Sequence, residues 1–92
     1  MKKTASFFIS MYSVYIIYSL TLDKYYVGYT EDIAQRLQQH NEGISKFTSK
    51  ARDWILKYKV VYESRELAHQ RELEIKRKKS RKYIEWLISS AG

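Results

Sequence analysis

The sequence predicts an α+β fold with element order β-β-α-β-α-α, and three observations predict it. Two β-branched and aromatic runs, Tyr12–Tyr18 and Tyr25–Tyr29, flank a short polar turn, which is the pattern of a hairpin. A third such run covers Trp54–Tyr62. Three further stretches carry apolar residues at helical spacing behind a capping side chain, as amphipathic helices do. A chain of 92 residues suits one folded domain, placed at residues 12–90.

Residues 1–11 read as a loose N-terminal extension. Lys2-Lys3 followed by Phe7-Phe8-Ile9 imitates a short signal peptide. Its apolar part runs on into the first strand, however, and no small-residue cleavage motif follows. Met11 is a second candidate start. No run of about 18 uninterrupted apolar residues exists, which argues against a spanning helix. The expectation is a cytoplasmic protein.

In the first strand, alternation places Tyr15 and Ile17 on one face; in the second it does the same for Tyr26 and Gly28. Leu20–Lys24 is the hairpin loop. Gly28 offers no side chain, so a helix or a phosphate backbone can approach there. The first helix starts near Thr30 or Asp32, where Asp32 and Gln35 fit a capping box, and stops at Gly43. Ile33 and Leu37 form its apolar stripe. Arg36 and His40 share a face at the edge of that stripe, and Asn41 stands at the helix end.

Residues 43–53 read as a mobile, substrate-facing polar loop carrying the basic Lys46, Lys50 and Arg52. After the third strand, Ser64 caps a helix over Arg65–Lys78. Ala68, Glu72 and Ile75 lie on one face of it, which sets a carboxylate between two apolar residues. That position argues against a surface pair with Lys76 four residues on. Ser80 caps a last helix, Arg81–Ser89, with Tyr83, Ile84, Leu87 and Ile88 as its stripe.

Composition narrows the function classes. There is no cysteine, so disulfides and thiolate metal sites are excluded. Two histidines argue against a multi-histidine zinc site. Seventeen Lys+Arg against ten Asp+Glu give a net charge of +7, which favours polyanions. Nucleic acid leads and an anionic membrane surface comes second. Nine tyrosines mixed with basic residues suit phosphate contact plus stacking. The run from Lys76 to Lys82 holds six positive charges. Lys76, Lys78, Lys79, Arg81 and Lys82 are its candidate phosphate contacts, which position a substrate without reading bases.

At Ser13-Val14-Tyr15 and Tyr26-Val27-Gly28, with Arg36, His40, Asn41 and Glu72 following at matching spacing, the chain resembles the GIY-YIG nuclease superfamily. The resemblance covers about residues 12–88. It is similar to the small single-domain bacterial members, related to the nuclease domain of structure-specific resolvases. Ser13 stands where the named motif has glycine. The resemblance implies a three-stranded antiparallel sheet flanked by helices and one divalent ion, Mg²⁺ or Mn²⁺. It further implies that Tyr15 helps activate the attacking water and that Tyr26 orients water or phosphate. Arg36 would hold the scissile phosphate and Glu72 the metal.

These residue types suit the chemistry. Phosphodiester hydrolysis needs an activated water, neutralised phosphoryl oxygens and help for the leaving oxygen. One carboxylate plus waters suits Mg²⁺. Arg36 offers planar, permanently charged donors. Tyr15 is a poor base at its ordinary pKa of about 10, though positive charge from Arg36 or a metal would favour its phenolate. His40 is the alternative base. The expectation is therefore a metal-dependent DNA endonuclease selecting structure (branched, flapped, nicked or single-stranded DNA), with RNA left open. The alternative is a non-catalytic or partner-dependent nucleic-acid-binding module on the same fold.

Overall fold

The computed structural model describes residues 11–91; the N-terminal extension expected over residues 1–11 falls outside them apart from Met11. The order of elements is β1 (Tyr12–Ser19), β2 (Lys24–Thr30), α1 (Ile33–Asn41), a 3₁₀ turn (Lys46–Thr48), β3 (Trp54–Tyr62), α2 (Arg65–Lys78) and α3 (Arg81–Ala91). The three strands form one antiparallel sheet, ordered β2-β1-β3. The α+β class and the order of strands and helices agree with the sequence. Strand and helix ends move by one or two residues, where backbone pairing extends past the patterned side chains.

β1 is central, so its side chains are covered on both faces. Val14 and Ile16 on one face join Val27 of β2, Ala68 and Ile75 of α2, and Leu87 of α3. Tyr15 and Ile17 on the other face join Ala51 and Trp54, with Ile33 and Leu37 of α1 packed against them. α1 therefore covers one face, and α2 with α3 covers the other. Each helix begins on the side chain expected of it. Asp32 accepts from the Gln35 amide, Ser64 accepts from the Leu67 amide, and Ser80 accepts from the Tyr83 amide at 3.1 Å.

Residues 43–53 are more ordered than a polar loop. The 3₁₀ turn lies within them, and Ser45, Thr48 and Ala51 are buried. The polar side chain of Thr48 is tolerated inside because it has partners there, as buried polar groups require. At the far end of the hairpin, Asp53 accepts from the Ser19 hydroxyl at 2.6 Å and from the Thr21 amide and hydroxyl at 2.9 and 2.8 Å. These bonds, that of Ser19 first, hold its carboxyl down at about 2. They tie the β1–β2 turn to the start of β3. No described helix is long and apolar enough to cross a membrane.

Candidate active site

Tyr15 lies on the central strand directly opposite Gly28 of β2. A Cβ at position 28 would come within 2.6 Å of the Tyr15 hydroxyl and 2.8 Å of its ring. The glycine is thus required by a neighbour within the chain: it vacates the space the phenol occupies. The room expected there for a phosphate or a helix is filled by Tyr15.

The phenol meets His40 of α1, with 2.8 Å between Tyr15 Oη and His40 Nε2. His40 Nδ1 lies 2.6 Å from Thr48 Oγ1, and Thr48 in turn donates to the Ser45 carbonyl at 3.5 Å. With its hydroxyl proton directed to that carbonyl, Thr48 accepts from Nδ1–H. Nε2 then keeps a lone pair and accepts from the Tyr15 hydroxyl. His40 and Thr48 are fully buried. A continuous chain of hydrogen bonds runs from β1 through α1 to the 3₁₀ turn.

Burial sets the protonation states. It pushes His40 down to about 4, with the Arg36 charge acting in the same direction. The imidazole is neutral at physiological pH. Burial also pushes the Tyr15 phenol up to about 12, with Tyr26 adding to it and the opposing pull of Arg36 too weak to prevail. Arg36 pulls toward the phenolate, as expected, but loss of hydration outweighs one partly solvated guanidinium. Between the two candidate bases, the neutral group with a free lone pair at rest is His40.

The other predicted residues gather around this pair. The Tyr26 ring lies 5.0 Å from His40 and 6.4 Å from Tyr15, centroid to centroid. Arg36 donates to Gln39 Oε1 at 3.0 Å and to Ser45 Oγ at 3.4 Å. Among the described residues it has no carboxylate partner, so its charge is free for an anion. Glu72 is buried on α2 between Ala68 and Ile75, as its spacing predicts. The expectation that it avoids Lys76 is wrong. Lys76 Nζ sits 2.6 Å from Glu72 Oε2, and His69 Nε2 is 3.7 Å from the other oxygen. The flexible lysine stem reaches back along the helix, and a carboxylate this enclosed gains from a cation. The same ammonium stands 5.5 Å over the Tyr26 ring. Tyr26 belongs to the α1 face and Lys76 to α2, so the contact joins the two faces at β2, an edge strand.

A divalent ion would have one carboxylate here. Among the described residues no three His, Asp or Glu side chains cluster as a ligand set. Glu72 with a phenol nearby fits an ion that keeps most of its shell as water and substrate oxygens. The Lys76 ammonium marks this position as one that accommodates a cation.

The remaining predicted contacts divide by what holds them. Asn41 is engaged within the fold: its amide donates to the Trp54 carbonyl at 2.9 Å and accepts from the Trp54 amide at 2.7 Å. It fastens the end of α1 to β3, with one N–H and one lone pair remaining beyond these two bonds. Arg52 lies against Gly43, whose added Cβ would come within 2.8 Å of its guanidinium. Arg81 is committed to Asp23 at 2.7 Å and Glu85 at 3.1 Å and stacks over Tyr25. Its charge is spent inside the chain. Lys78 lies over the Tyr83 ring at 5.3 Å. Lys46, Lys50, Lys79 and Lys82 are exposed. Thr48 and Ser45 are the members of the site that sequence reasoning passed over. Both read as polar loop residues, and nothing local distinguishes a hydroxyl that caps a buried imidazole from one facing water.

Comparison with known proteins places the chain in a family. The family described as the GIY-YIG catalytic domain matches residues 11–84. The chain is 40% identical over 52 residues to the UPF0213 protein of Staphylococcus aureus strain Mu3, and equally to UPF0213 protein SAV0488 of strain Mu50 and SA0446 of strain N315. Each match spans 55% of this chain and 63% of the relative's length. No solved structure matches the chain. With a family match running from β1 into α3 and both tyrosine motifs in register on paired strands, the chain belongs to the GIY-YIG family of nuclease-type catalytic domains.

Proposed function

We propose that this protein is a metal-dependent endonuclease that hydrolyses phosphodiester bonds in DNA and selects substrate by structure. The observation that carries the reading is the Tyr15 hydroxyl held 2.8 Å from a neutral, buried His40, with an uncommitted Arg36 charge beside it. Tyr15 takes a proton from the attacking water as it passes its own to His40 Nε2. The buried phenol need never exist as a free phenolate. Arg36 binds the non-bridging oxygens of the scissile phosphate as a planar donor. Tyr26 orients the water or the phosphate. Glu72 would hold one Mg²⁺ or Mn²⁺ ion, which supplies charge neutralisation at the leaving oxygen. Lys46, Lys50, Lys78, Lys79 and Lys82 contribute phosphate contacts, and a nucleic-acid substrate implies a cytoplasmic setting.

The test is a panel of labelled branched, flapped, nicked and linear duplexes, with RNA counterparts, incubated with and without Mg²⁺ or Mn²⁺. Wild type cuts at least one DNA, and Glu72→Ala binds the same DNA without cutting it. Equal cleavage by both proteins would refute the site assignment.

One observation favours a second reading. The Lys76–Glu72 pair, at 2.6 Å, already neutralises the one carboxylate that the described residues offer a metal at this site. A module that never exchanges that pair binds nucleic acid without cutting, or cuts only when a partner protein displaces the lysine. No cleavage under any metal, with salt-sensitive binding intact, identifies this case. Activity restored by a cell extract separates the partner-dependent form.

A further inference from the structure

Beside the candidate centre lies a groove of about 310 Å³. Its walls include Tyr26, Trp54, Phe47 and three lysines, Lys24, Lys46 and Lys50, and among the described residues no Asp or Glu lines it. Phe47 is 79% exposed, the largest exposure among the described large apolar side chains. An aromatic ring left in water at this level is offering a face to something.

The ring is not on a loose segment. Phe47 sits in the 3₁₀ turn next to Thr48, which is fully buried and bonded to His40. The indole of Trp54 donates to the Thr48 carbonyl at 3.0 Å. The backbone that follows the aromatic is thus pinned to the site, while the ring stands in solvent. Three lysines around one presented aromatic match the alternation of phosphate and base along a nucleic-acid strand. In a duplex the faces of each base are already covered by its neighbours, so only an unpaired, unstacked base can lie against Phe47.

We infer that this groove is a stacking subsite for one unpaired nucleobase next to the scissile phosphate, with Phe47 as the platform and Lys24, Lys46 and Lys50 on the flanking phosphates. The inference rests on the nuclease reading and gives it a substrate class: single-stranded or frayed ends rather than continuous duplex. Tyr26 lines the groove and also stands 5.0 Å from the His40 ring, so a base held there places its own backbone at the candidate centre.

The experiment measures binding in EDTA, where cutting plays no part, with fluorescently labelled single-stranded oligonucleotides and a matched duplex. Phe47→Ala weakens single-strand binding about 5- to 150-fold, the span of base–aromatic stacking, and changes duplex binding less than about twofold. Phe47→Trp retains wild-type affinity. An abasic residue scanned along the strand removes the difference between wild type and Phe47→Ala at one position only. Equal affinity of both proteins for the single strand overturns the subsite, and so does an equal loss on strand and duplex. Phe47-dependent binding to phosphatidylglycerol vesicles, with none to the strand, would assign the groove to a membrane surface and overturn the inference. Cleavage of the same oligonucleotides in Mg²⁺ is scored separately, so failure of the nuclease reading and failure of the stacking subsite give different results.

Discussion

The Tyr15 hydroxyl and His40 Nε2 lie 2.8 Å apart in the interior, although 25 residues separate them in sequence. Neither group would serve alone. The phenol is pushed up to about 12 and holds its proton, while the imidazole is pushed down to about 4 and lacks one. Burial drives both shifts, and together they keep the resting proton on the oxygen. Transfer to nitrogen runs uphill between these values, so under the proposed mechanism it proceeds only when coupled to bond formation at the phosphate.

Stability should record the His40 shift. The unfolded chain binds a proton at an ordinary histidine value of about 6.5, and the folded chain binds it only at about 4. Between these values the unfolded state holds more protons, so stability rises with pH across the window. The contribution is fully present above about 6.5 and is lost as pH falls through about 4. Its full size is on the order of 3 kcal/mol. Urea midpoints measured from pH 7 to pH 4 should fall steeply in wild type and less in His40→Gln. Parallel profiles would mean that His40 is not the buried neutral group described.

The tautomer of His40 depends on Thr48. With Thr48 donating to the Ser45 carbonyl, the imidazole proton sits on Nδ1 and Nε2 stays open to Tyr15. Thr48→Val keeps the shape and removes the acceptor. The variant should show the Nε2–H form in ¹⁵N spectra, a cleavage rate lower by about 10²-fold, the lower end for a misplaced acid–base group, and an altered pH–rate profile. Thr48→Ser should restore all three. An unchanged Nδ1–H signal in Thr48→Val would remove Thr48 from the proton path.

How much of this was legible beforehand follows from the range over which each signal acts. The capping residues Asp32, Ser64 and Ser80 and the alternating strands act over a few residues, so the elements were readable from one sequence. Glu72 was readable because Ala68 and Ile75 bracket it on one helix face. The Lys76 pair was missed because an apolar helix face says nothing of a lysine stem bending back over it. Thr48 and the pairing of Asn41 with Trp54 were missed for another reason. Both are satisfied by partners on other elements, and a side chain's partner across the fold leaves no trace in local pattern. Burial was likewise invisible at Tyr15, where the sequence showed only that charge from Arg36 or a metal would favour the phenolate.

Gly28 should not tolerate a methyl group. Its added Cβ falls 2.6 Å from Tyr15 Oη and 2.8 Å from Cζ. The ring cannot retreat easily, because it is 2% exposed and anchored to His40. Overpacking of this kind destabilises by about 1–3 kcal/mol. Gly28→Ala should lower the urea midpoint accordingly and weaken the tyrosine–histidine contact. Tyr15→Phe removes the closer of the two clashing atoms and keeps Cζ, so the double variant should recover part of the loss. Additive effects would show that residues 15 and 28 do not compete for one space.

Lys76 should compete with a divalent ion for Glu72. Its ammonium lies 2.6 Å from one carboxylate oxygen and 5.5 Å from the Tyr26 ring. A metal bound by Glu72 must displace it or share the carboxylate against its repulsion. Lys76→Met keeps the apolar stem and the helix propensity while removing the charge. The side chain is 43% exposed, so water screens much of the interaction and roughly 1 kcal/mol is the expected scale. That corresponds to about fivefold tighter Mn²⁺ binding by calorimetry, or to an equal gain in sensitised Tb³⁺ luminescence. If Lys76 also guides the phosphate once displaced, the same variant cuts more slowly despite its tighter metal. Unchanged metal affinity would mean that Glu72 does not bind the ion, and would favour the non-catalytic reading of the pair.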